Sequence, residues 1–142
     1  MLRAILDTNV YVAGVLSAKG APARLLHALA DGAFDAIVCP RLLDELRGVL
    51  ARPRIADRIE PDVAEGFVAW VERFASAVPD PDPIEPVSPD PSDDYLVALA
   101  RESGAPFIVT GDAHLLGIGL REPAAVTPAT FAKLIEALDA PR

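Results

Sequence analysis

The sequence predicts an α/β fold built on a parallel sheet. Short apolar runs of strand length alternate with longer stretches of helical periodicity, Gly and Pro breaks separate them, and two of the apolar runs are followed by an aspartate. Parallel strands joined in this way require right-handed crossovers. From the amino terminus, LRAIL reads as a buried strand that ends at Asp7, where Thr8 and Asn9 favour a turn or helix start. After the GAPA break, PARLLHALADG has helical spacing, with Pro22 in a permitted first-turn position and Gly32 as a stop. FDAIVC is a second buried strand. PRLLDELRGVLAR follows as a helix with Leu42, Leu43, Leu46, Val49 and Leu50 on one face, closed by Pro53. PDVAEGFVAWVERFASA is a further helix whose Phe67, Trp70 and Phe74 serve either the core or a homodimer interface, core being the default.

From Val78 to Asp94 the chain holds six of its fourteen prolines, six acids and no base, which excludes a helix. Too little chain follows for an independent second domain, so we expect one domain over 1–142 and, here, a loop bracketing a short edge strand near IEPV. DYLVALARESG is the next helix, PFIVT the next strand, and TGDAHLL a turn and helix start. A strand at AAVT and a helix TPATFAKLIEAL, opened by a threonine cap and Pro128, complete the pattern.

Composition narrows the function classes. With 51% hydrophobic residues over 142 positions the chain has material for a substantial core. Its single cysteine, Cys39, cannot form an internal disulfide and reads as a small buried apolar residue; with no basic-then-apolar leader, a cytoplasmic setting is expected. No apolar run reaches the ~18 residues of a membrane span, so no membrane association is expected. The net charge of −8 argues against a general polyanion binder. The bases are unevenly spread, however: Arg41, Arg47, Arg52, Arg54 and Arg58 fall in one stretch, as phosphate contacts or as solvated helix charges.

The acids carry the chemistry. Asp7 and Asp112 follow apolar strands, and open α/β sheets bind ligands outside the carboxyl ends of their strands. Glu45 borders the apolar face of its helix, whereas Asp44 points away from it. Asp93 and Asp94 open a helix, where carboxylates suit the positive end of the dipole. The helical wheel leaves open which of the two is a cap; the division we expect is Asp93 as cap and Asp94 as ligand. Carboxylates gathered in one crevice repel and call for a compensating cation. All-oxygen donors without a Cys or His cluster point to Mg²⁺ or Mn²⁺, which activates water and stabilises charge on a phosphoryl group.

In order and context, ILDTNV, LLDELRGVL, DDYLVALA and VTGDAHLL resemble the motifs of the PIN-domain nucleases, and VLARPRIADRI is similar to the branch that supplies toxin components of toxin–antitoxin systems. The resemblance covers nearly the whole chain. It implies a three-layer α/β/α sandwich around a central parallel sheet, a Mg²⁺ or Mn²⁺ site and endonucleolytic cleavage of RNA with a 3′-oxygen leaving group. It also implies Asp7, Glu45, Asp94 and Asp112 as the metal-binding and catalytic acids, Asn9 as the polar residue that orders the first acid, Thr110 as the hydroxyl beside the fourth, and an antitoxin protein as partner. His114 stands where relatives often carry another acid, which leaves one or two metals open; it is read as a substrate contact, a general acid or a structural residue. Two rival readings are a catalytically silent PIN-like module that binds RNA or protein, and a phosphatase of the haloacid-dehalogenase type. The phosphatase wants a second aspartate where Asn9 stands.

Overall fold

The computed structural model describes residues 1–87 and 90–139 and is organised around a five-stranded, wholly parallel sheet in the order β3-β2-β1-β4-β5. The strands are β1 (Arg3–Leu6), β2 (Asp35–Val38), β3 (Ser76–Ala77), β4 (Phe107–Val109) and β5 (Ala124–Val126). Among the described residues eight helices accompany them: α1 (Thr8–Leu16), α2 (Ala21–Ala30), α3 (Pro40–Leu50), α4 (Pro53–Ala56), α5 (Pro61–Phe74), α6 (Pro91–Ser103), α7 (Ala113–Leu116) and α8 (Pro128–Asp139). Together they form the α/β/α sandwich that the alternation and the resemblance lead one to expect. Ala4, Ile5 and Leu6 of the central strand are wholly buried, as a parallel strand covered on both faces must be. Helix α1 packs on α2 and α3, α3 on α5, α2 on α8, and α6 against β1 and β4.

The strand order marks where a ligand crevice is expected. From β1 the chain winds outward to β2 and β3, then crosses back to β4 on the other side of β1, so the winding reverses between β1 and β4. Connections diverge there and open a crevice beyond the carboxyl ends of the two strands. Leu6 pairs with Val109, and the N–H of Asp7 donates to the Val109 carbonyl at 2.9 Å, so the segments after both strands leave the sheet side by side.

The Pro-rich segment differs from expectation. Residues 84–87 form no strand, and 88–89 of the expected loop lie outside the described residues. The edge strand is instead Ser76–Ala77, which pairs with Ile37 and Val38 immediately after α5. The physical reason is donor supply: Pro79, Pro81, Pro83 and Pro86 lack the N–H groups that a ladder needs, whereas Ser76, Ala77 and Val78 have theirs, and the Val78 N–H reaches the Val38 carbonyl at 2.9 Å. Helix α5 consequently stops at Phe74. Pro53, expected to close α3, occupies the first turn of the separate short helix α4. On α5, Phe67, Trp70 and Phe74 are half-buried against the core and stack in series, with centroids 5.8 and 5.2 Å apart. No described helix is long and apolar enough to cross a membrane.

Candidate metal centre

Asp7 is delivered by β1 and is 6% exposed, so its charge needs donors. Two hydroxyls supply them: Thr110 Oγ1 donates to Asp7 Oδ2 at 2.8 Å, and Thr8 Oγ1 approaches Oδ1 at 3.4 Å. Thr110, wholly buried just beyond β4, also accepts the Asp112 N–H at 3.0 Å. One hydroxyl therefore ties the first acid to the backbone of the fourth across the β1/β4 crevice. Asn9 is the residue expected to order Asp7. It is exposed on α1, and among the described residues the side-chain donors to Asp7 are Thr8 and Thr110.

Asp112 is half-buried and caps α7, its Oδ1 accepting the His114 N–H at 2.9 Å. His114 itself is exposed and adds a minor electrostatic contribution that lowers the Asp90 pKa.

The Asp93/Asp94 pair is arranged differently from the expected division. The cap of α6 is Asp90, whose Oδ1 accepts the N–H of Ser92 at 3.0 Å and its hydroxyl at 2.8 Å. These bonds, the backbone one foremost, hold the Asp90 pKa below the ordinary carboxylate value. Asp93 and Asp94 both lie within the first turn and are both buried. Asp94 Oδ1 accepts the Val87 N–H at 3.1 Å, which engages it with the incoming chain. Asp93 Oδ2 is buried without a hydrogen-bond partner, a condition it shares among the described residues only with the Tyr11 hydroxyl. Burial, and then repulsion from Asp112, Asp90, Asp7 and Asp94, pushes the Asp93 carboxyl up to about 6. Asp93 thus lies in the field of four other acids.

Glu45, half-buried on α3, accepts a hydrogen bond at Oε2 from the hydroxyl of Tyr95 on α6. Desolvation first, then Glu45, then more distant negative groups including Asp7, raise the Tyr95 hydroxyl far above its usual pKa, so Glu45 and Asp7 share the field around one atom. Asp44, as the helical wheel requires, is exposed and pairs with Arg47 at 3.1 Å.

The five arginines separate. Arg41, one turn before Glu45, lays its guanidinium over the Tyr95 ring at 4.2 Å and so stands beside the acids. Arg47 is held by Asp44 and, at 2.9 Å, by Glu72. Arg52, Arg54 and Arg58 are exposed around α4; Arg52 follows the far end of α3, roughly 10 Å further along its axis than Glu45 at 1.5 Å rise per residue. The group is thus divided between α3 and the surroundings of α4. Cys39, wholly buried at the start of α3, keeps its thiol pushed up to about 11 by burial, as befits an inert packing residue.

Among the described residues no three Asp, Glu, His or Cys side chains are drawn close enough to hold a cation as they stand. Carboxylates of one sign repel, and Asp7, Asp90, Asp94 and Asp112 all act on Asp93 in this way. Their chemistry fits a hard divalent cation: the donors are all oxygens, and Asp93 holds a buried oxygen with no hydrogen-bond partner among the described residues. Sequence reasoning passed over Thr8, Asp90 and Tyr95. Asp90 carried a usable signal, an Asp immediately before Pro91 at a helix start. Tyr95 carried none.

A family profile described as PIN domain matches residues 3–114, a span that contains Asp7, Glu45, Asp93, Asp94 and Asp112. No curated protein matches the chain at a significant level. Solved structures do. PAE2754 from Pyrobaculum aerophilum superposes with a TM-score of 0.66 at 15% identity, covering 96% of this chain and 90% of that one. VapBC2 from Rickettsia felis, solved bound to a DNA fragment from their promoter, superposes with a TM-score of 0.61 at 12% identity, covering 89% of this chain and 98% of that one. At such identities the likeness is one of fold.

Proposed function

The chain belongs to the PIN-domain family, and from that premise we propose that it is a metal-dependent endoribonuclease, the toxin component of a toxin–antitoxin pair, with Asp7, Glu45, Asp93 and Asp112 holding Mg²⁺ or Mn²⁺. The observation that carries this reading is the buried, unpartnered oxygen of Asp93 in the field of Asp112 and Asp7 at the point where the sheet reverses its winding. A fold keeps a carboxylate so uncomfortable when something supplies the missing positive charge. In this reading Asp93 stands in for the expected Asp94, whose Oδ1 accepts the Val87 N–H.

Within this reading a bound divalent cation would polarise a phosphodiester and lower the pKa of water. The chain's own residues do the rest. Thr110 sets the spacing of Asp7 and Asp112 through its two hydrogen bonds. Arg41 stands ready to take a backbone phosphate, since its charge is spent on an aromatic face and not on an acid. The likeness to VapBC2 supports an antitoxin as partner. RNA cleavage measured with Mg²⁺, with EDTA, and with Asp7→Asn tests the proposal: cleavage in the first case and its loss in the other two is expected. Equal rates in all three, or none in any, would leave the silent binding module as the better account.

A further inference from the structure

Glu45 sits on α3, whereas Asp7 and Asp112 sit beyond the ends of β1 and β4, so an element outside both has to set the direction of its carboxylate. Tyr95 is placed to do so. The residue is 1% exposed, it lies one position beyond the paired aspartates of α6, and its hydroxyl donates to Glu45 Oε2 from 50 positions away in sequence. The same hydroxyl lies within electrostatic reach of Asp7. Arg41 covers one face of the ring, pinning its plane from the same helix that carries Glu45.

We propose that Tyr95 is a positioning residue of the metal centre, acting through Glu45: it occupies Oε2, fixes the side chain and presents Oε1 to the crevice. Glutamate has several freely rotating bonds, and ordering them opposes cation binding. A hydroxyl that has already ordered the side chain removes that opposition. A phenol also does so without charge, so it does not compete with the cation as a Lys or Arg in the same place would. The inference rests on the reading of the acids as a cation site.

Calorimetric Mn²⁺ titration of the wild type, Tyr95→Phe, Glu45→Ala and the double variant tests it, with melting temperatures in EDTA as the control for folding. Phenylalanine keeps the ring and its Arg41 contact, so the fold is expected to hold. Tyr95→Phe is expected to weaken Mn²⁺ binding about tenfold and to have no further effect once Glu45 is alanine. Wild-type affinity in Tyr95→Phe, or the same loss in both backgrounds, overturns the inference while leaving the cation site in place. A wild type that takes up no Mn²⁺ overturns the site and the inference together.

Discussion

Asp93→Asn is expected to make the cation-free protein more stable and the cation-bound protein less so. Burial and neighbouring acids raise the Asp93 carboxyl from 3.8 to about 6. A group raised in this direction is destabilised when ionised. The penalty is absent below about 3.8, grows as pH rises to about 6, and is complete above it, because over that window the folded state binds more protons than the unfolded. Two pKa units correspond to roughly 3 kcal/mol; the crevice opens to water, which screens the charges and reduces this to about 1–2 kcal/mol. Asparagine removes the charge and places an amide donor toward Asp112 and Asp7. At pH 7 in EDTA its melting temperature should rise by about 3–6 °C, at ~3 °C per kcal/mol for a chain of this size. In Mn²⁺ at a hundred times its Kd the wild type should gain about 2.7 kcal/mol, a gain the variant largely loses, so the order of stability reverses. Differential scanning fluorimetry from pH 4 to 7, with and without Mn²⁺, reads both effects. If Asp93→Asn were no more stable than wild type in EDTA at pH 7, or gained as much from Mn²⁺, the argument from electrostatic strain would fail.

Thr110→Val nearly preserves volume, so its effect isolates the two hydrogen bonds to Asp7 and from the Asp112 N–H. Denaturant unfolding should show a loss of about 2 kcal/mol, and Mn²⁺ affinity should fall with it; a loss below ~0.5 kcal/mol would show that the hydroxyl does not join the two acids. Arg41→Ala should weaken RNA binding several-fold and reduce the slope of its salt dependence by about one. Arg47→Ala, whose guanidinium is held by Asp44 and Glu72, should leave binding unchanged and lower stability by less than ~1 kcal/mol. Filter-binding titrations across salt concentrations separate the two, and equal effects would return Arg47 to the phosphate path.

What sequence alone determined is what local pattern encodes. Apolar runs bounded by Gly and Pro located β1, β2, β4 and β5 and put Asp7 and Asp112 beyond strand ends, because a strand's burial is written into consecutive residues. Glu45 was separated from Asp44 by helical periodicity alone. The arrangement of partners lay beyond that reach. The edge strand went to Ser76–Ala77, since pairing depends on which neighbours offer free donors beside β2. The cap expected at Asp93 lies at Asp90, and Asp93 and Asp94 both fall inside the first turn, because where a helix starts depends on how the preceding chain docks. The arginines grouped in sequence run from the start of α3 to beyond α4, while Tyr95 and Glu45, 50 positions apart, became neighbours. Hydrogen bonds and charge repulsion act over a few ångströms of space, and only the folded chain decides which residues are that close.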